Sequence, residues 1–178
     1  CIRDRDATDL ALALAGTINH NGAVTVTDGE YNLSELKTIN QGTSGTITLS
    51  DRTVALSGDA TDLALALAGT INHNGAVTVT DGAYNVSELT AIAGGTSGAI
   101  TLSDTTVALS GDATDLKTIF DENITTHTGA VTVTDNAYTV AELKSIAGGT
   151  SGAITLSSAG VALSGDATDL KTIFDENI

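Results

Sequence analysis

The chain has 178 residues, with 22 acidic against 7 basic side chains and a formal net charge of −15 at pH 7. That charge excludes nucleic acid and anionic head groups as partners, because both need a cationic footprint. The 41% apolar share supports a core, but without Trp, Met or Pro and with 3% aromatics it must be built from Val, Ile, Leu and Ala. The longest apolar run, residues 10–15, is too short to cross a bilayer, so no membrane insertion is expected. The single cysteine, Cys1, excludes an internal disulfide framework, and as a first residue it is also a candidate for lipid modification.

Residues 60–82 copy residues 7–29 letter for letter, and residues 161–178 copy residues 107–124. Duplication of this kind predicts one repeat array over residues 1–178, with units 7–59, 60–112 and 113–166 and a partial unit 167–178. Inside each unit a fainter half-repeat relates residues 22–39 to residues 45–63. The strand-opening residues Val24, Ile47, Val77, Ile100, Val131 and Ile154 are spaced by 23, 30, 23, 31 and 23 residues. Six coils of alternating short and long type are therefore expected.

Each coil opens with a strand. In AVTVTD the alternation of Val with Thr has period two, which turns Val24 and Val26 inward and Thr25 and Thr27 outward. Asp28-Gly29 and its equivalents then reverse the chain. A second extended piece follows, at residues 31–33 or 54–56. Ser34, and Asp59 or Thr61, are expected to cap short helices over residues 35–39, 61–67 and 114–120. Gly-rich NQGTSG, AGGTSG and NHNG segments close the coils.

Strands alternating with crossover helices predict an α/β chain, a β/α solenoid of six stacked coils. The alternative is an all-β parallel β-helix in which the helical stretches shrink to turns. The pattern V-x-V-x-D…Y-x-L-x-x-L-x-x-I is similar in its logic to leucine-rich repeats, with Val or Ile at Leu positions and Asp or Ser where an Asn ladder stands. The VTVTD and ELxxIxxxTSGxIT strings also resemble tandem repeats of large secreted bacterial surface proteins, including cyanobacterial haemolysin-like and adhesin-like chains. The resemblance implies an extracellular or cell-surface location.

Parallel strands lie about 4.8 Å apart, so residues two coils apart sit roughly 9.6 Å apart. His20, His73 and His127, equivalent residues of NHNG and THTG loops, are thus too distant to share a metal ion, whose Zn–N bonds need about 2.1 Å. Asp28, Asp51, Asp81, Asp104 and Asp135 recur after the strands until Ser158 breaks the column. Adjacent carboxylates make them calcium candidates, although neither an EF-hand nor a GGxGxD repeat is present. Asp59/Asp62, Asp112/Asp115 and Asp166/Asp169 form a second acidic set. A hydroxyl ladder is expected from Thr25, Thr27, Thr48, Thr78, Thr80, Thr101, Thr132, Thr134 and Thr155, with Ser50, Ser103 and Ser157 completing two files. Glycosylation sequons occur at Asn32, Asn85 and Asn123.

No nucleophile elbow, phosphate loop or Cys–base pair is present, and every Ser, His or Asp candidate exists in several copies, so no catalytic site and no cofactor are expected. Apart from Cys1–Asp6, where Arg3 and Arg5 add charge, both ends read as unadapted repeat. Open solenoid ends predict either a slice of a longer array or a homo-oligomer or fibre built end to end. The expected role is a non-enzymatic structural repeat protein, an extracellular rod or fibre-forming segment of a bacterial surface protein. The alternative is a binding module that presents its Thr/Asp face to calcium, glycan or ice.

Overall fold

The computed structural model describes residues 6–16, 20–121, 124–175 and 178, with the Thr125 side chain left out. Cys1, Arg3, Arg5 and Asn123 lie outside the described residues. Among those described the chain is α/β, with seven helices interleaved with nine short strands. The helices are α1 (Ala7–Leu14), α2 (Leu33–Gly42), α3 (Ala60–Leu67), α4 (Val86–Gly95), α5 (Ala113–Asp121), α6 (Val140–Gly149) and α7 (Ala167–Asp175). The strands are β1 (Val24–Val26), β2 (Ile47–Leu49), β3 (Leu56–Gly58), β4 (Val77–Val79), β5 (Ile100–Leu102), β6 (Leu109–Gly111), β7 (Ile124–Thr125), β8 (Val131–Val133) and β9 (Ile154–Leu156). Seven real helices rule out the all-β alternative.

The helices form where caps and apolar spacing agree. Asp59 accepts from the Asp62 backbone N–H at 2.8 Å and starts α3, whose Leu63, Ala66 and Leu67 fall on one buried face. Asp6, Asp112 and Asp166 do the same for α1, α5 and α7. In α2 the cap is Asn32, two residues earlier than the expected Ser34, because Glu35 stands three residues after Asn32 and closes a capping box. Asn85/Glu88 and Thr139/Glu142 repeat that box. Each helix is consequently longer than the sequence pattern suggests.

All strand pairing is parallel, in three sheets of order β1-β2, β3-β4-β5-β7 and β6-β8-β9. Val24 pairs with Ile47; Leu56, Val77, Ile100 and Ile124 follow one another across the second sheet; Leu109, Val131 and Ile154 do so across the third. This corrects the expected register. The strand at Ile47 is followed in its ladder by Ile71, a single bridge, whereas Val77 joins Leu56. The extended VALSG piece is thus a ladder member, and helix starts recur every 26 or 27 residues in place of a 23/30 alternation. Consecutive helices pack on each other along the chain. The inward Val, Ile and Leu of the strands meet the helix faces in one core that includes Val24, Leu36, Leu63, Val77, Leu89 and Ile119, all fully buried.

Close stacking depends on glycine where the NHNG and TSG loops overlie. A Cβ on Gly98 would stand 1.9 Å from the Gly75 carbonyl oxygen, and Gly45 over Gly22 and Gly152 over Gly129 repeat this contact.

Candidate functional site

The turn aspartates hold backbone. Asp28, Asp81 and Asp135 each accept, through Oδ1, the first N–H of the preceding helix: Ala7 at 3.1 Å, Ala60 at 3.0 Å and Ala113 at 3.2 Å. Every such helix therefore starts against two carboxylates, its own N-cap and one from the following pass of chain, where the helix dipole is positive. Asp51 and Asp104 serve differently. Each accepts from the backbone N–H and hydroxyl two residues on, Thr53 at 2.8 and 2.7 Å and Thr106 at 2.9 and 2.7 Å. The Thr hydroxyls, with the Thr amides, hold both carboxyls below their ordinary range. The five calcium candidates thus fall into two hydrogen-bonding roles, and no group of three or more His, Cys, Asp or Glu able to hold a metal occurs among the described residues.

The hydroxyl ladder is divided by the three sheets. Thr25 stands beside Thr48; Ser57, Thr78 and Thr101 run across the second sheet; Ser110, Thr132 and Thr155 run across the third. Thr27, Thr80 and Thr134 follow their strands in exposed positions. The ladder continues past them, with Ser50, Ser103 and Ser157 N–H groups bonding to the Val26, Val79 and Val133 carbonyls at 2.9 Å. Ser57 and Ser110 are members the sequence pattern missed, since their VALSG strands were not aligned with AVTVT. The central outward position of every three-residue strand is Thr or Ser.

On the helix side, side chains link successive helices. Thr8, Thr61 and Thr114 donate to Glu35, Glu88 and Glu142 at 2.6, 2.7 and 3.0 Å. Lys37 bonds Asp62 at 2.6 Å, and Lys144 likewise bonds Asp169. Burial pushes the Glu142 carboxyl up, but bonds from Thr139 and Thr114 and the charge of Lys117 outweigh it and hold it low. An open groove of about 780 Å³ between α5, α6 and α7 is lined by Lys117, Lys144 and Asp169 among others. Its lysines are engaged, Lys117 by Asp121 and Lys144 by Asp169.

The histidines are not loop decoration. His73 and His127 are 2% and 0% exposed. Each bridges a threonine 23 residues on: His20, His73 and His127 place Nδ1 at 3.1, 3.0 and 3.1 Å from Thr43, Thr96 and Thr150 Oγ1. In the inner two, Nε2 meets the Val54 and Val107 carbonyls at 2.8 and 2.9 Å. No local signal marks the threonine partners. Asn32 and Asn85, the first residues of two sequons, accept the Glu35 and Glu88 N–H groups through Oδ1 and start α2 and α4.

Comparison with protein-family models, with curated proteins and with solved structures finds no match to this chain.

Proposed function

We propose that this is a non-enzymatic structural repeat protein, a β/α solenoid whose seven helices bound six stacked coils and which serves as an extracellular rod or fibre-forming segment of a bacterial surface protein. One observation carries the reading: polar side chains that enzymes would converge on one pocket are spent here on identical inter-coil rungs. Asp–amide caps, Thr–Glu bonds and His–Thr pairs recur once per 53 or 54 residues. Repetition of this kind stiffens a rod and leaves no unique constellation.

End-to-end stacking of coils is the reading that α5 and α7 suggest. α5 and α7 share the sequence ATDLKTIFD. Phe120 of α5 is covered by the next coil, its ring lying against Gly149 and 5.7 Å from His127, whereas Phe174 of α7 is 65% exposed. An apolar face that a following coil covers once suits another coil of the same kind, whether later in the same chain or in a second copy. The acidic, cysteine-poor composition fits a secreted location. Negative-stain electron microscopy and sedimentation at rising concentration test the assembly; compact monomers throughout would reject it for this chain.

The uncharged Thr/Ser positions favour a second reading, a binding module for a regular neutral surface such as glycan or ice, with calcium held at the turn aspartates as its further form. A thermal-hysteresis assay, a glycan array and a Ca²⁺ titration test it, and silence in all three removes it.

A further inference from the structure

The hydrogen atoms around His73 can be counted. The Val54 carbonyl only accepts, so Nε2, 2.8 Å away, carries a hydrogen. A neutral ring then has a bare Nδ1, and its neighbour Thr96 Oγ1, at 3.0 Å, has to donate to it. That hydroxyl already accepts from the Gly98 N–H at 3.0 Å and has one hydrogen to give, although the Gly75 carbonyl waits at 3.2 Å. His127 repeats the arrangement with Val107, Thr150, Gly152 and Gly129, at 2.9, 3.1, 3.0 and 3.0 Å. One ring thus ties three successive passes of chain, and its neutral state leaves one carbonyl without the threonine proton.

We propose that the His73–Thr96 and His127–Thr150 pairs form an acid-operated latch: a proton arriving at Nδ1 reverses the threonine hydroxyl toward the glycine carbonyl and leaves an uncompensated cation between stacked passes, loosening the array.

Among the described residues no carboxylate contacts either ring. The Val54 segment carries Asp51 and Arg52, and Asp51 is engaged by Thr53. The Val107 segment carries Asp104, engaged by Thr106. Thr96 and Ser97, with Ala93, Gly94 and Gly95 of α4, bring no ionisable side chain toward His73. Against His127 stands Phe120, whose neighbour Asp121 is bound to Lys117. Burial holds both imidazoles below the ordinary histidine value, with the Val54 and Val107 carbonyls opposing it in part. The sign follows: above about pH 6.5 the folded and unfolded states are both neutral and stability is full; below it the unfolded rings take protons the folded rings refuse. Stability therefore falls from about pH 6.5 down to the folded titration point.

The test is a ¹⁵N-resolved NMR titration of the full chain together with urea melts between pH 7.5 and 5. The expected result is an Nε2–H tautomer at pH 7.5 and ring midpoints below 6.5. The unfolding constant should rise by up to about tenfold per pH unit for each histidine, up to about a hundredfold for the two. The variant H73Q/H127Q should lose that dependence. An Nδ1–H tautomer, midpoints at or above 6.5, or an unchanged pH slope in H73Q/H127Q would each overturn the latch. If the double variant does not fold, the titration of the unmodified chain decides alone.

Discussion

Replacing Asp81 separates a cap from a calcium ligand. Its Oδ1 accepts the Ala60 N–H at 3.0 Å across 21 residues, at the start of α3. Asp81→Ala removes one cap bond, about 1 kcal/mol, and one carboxylate at a helix N-terminus, roughly 0.3–1 kcal/mol where half-exposed. Asp59 keeps its own bond to the Asp62 amide, so the helix survives. The sum, about 1.5 kcal/mol, lowers Tm by roughly 3–6 °C in a chain of this size. Asp81→Asn keeps an acceptor oxygen and should cost less than half as much. Calorimetry of both variants, with and without calcium and chelator, provides the measurement. The reasoning fails if chelator lowers the parent Tm as far as the alanine change does, or if Asn is as damaging as Ala.

Further outcomes are tied to single contacts. Tyr84 donates to the Asp104 carbonyl at 2.5 Å, whereas the buried Tyr31 hydroxyl has no partner; burial first, then Asp51 or Asp104, pushes each phenol up to about 12. Tyr84→Phe should cost about 1–1.5 kcal/mol and Tyr31→Phe nothing or less than nothing, read from denaturant midpoints. Gly98→Ala drives a Cβ into the Gly75 carbonyl, while Gly94, helical, exposed and with open space around it, should gain up to about 1 kcal/mol as Ala; equal losses at both would contradict the stacking. Asp51 and Asp104 are held below their ordinary range by Thr53 and Thr106. Their contribution is therefore present above about pH 4 and lost below it, and Thr53→Val/Thr106→Val should shrink that acid loss in pH-dependent melts.

The legible parts of the chain were those with local signals. Period-two alternation located Val24, Val77 and Val131, and Asp59 before TDLALAL located α3. The coil register is hidden in the sequence because AVTVTD and TITLSD resemble each other more than ELKTI and TDLALAL do. Aligning by strands imposed 23- and 30-residue coils, while the stacked helices keep 26 or 27. The Asn32 cap was recoverable, since Glu35 lies three residues after Asn32 and one after Ser34. The His–Thr pairs and the Asp28–Ala7 cap were not, because each joins residues more than 20 apart and only packing brings them together.

Successive junctions follow two rules, and one junction between helices lacks both. From α1 to α2, α3 to α4 and α5 to α6, a Leu or Phe in the last turn seats on a glycine: Leu14 on Gly42, Leu67 on Gly95, Phe120 on Gly149. From α2 to α3 and α6 to α7 the link is instead polar, Lys37 to Asp62 and Lys144 to Asp169. The α4-to-α5 junction has neither device at that position. Thr90, equivalent to Lys37, turns back to the Val86 carbonyl of its own helix at 2.8 Å. Thr90→Lys restores the reach toward Asp115, an exposed pair worth about 0.2–1 kcal/mol and screened by salt. Hydrogen exchange should therefore find α4 and α5 opening together at lower cost than α2 and α3. Thr90→Lys should slow that exchange at low salt and lose the gain at about 1 M. Equal protection at both junctions in the parent chain would show that the glycine seats and strand ladders, with no help from the lysine rungs, set the stiffness of the array.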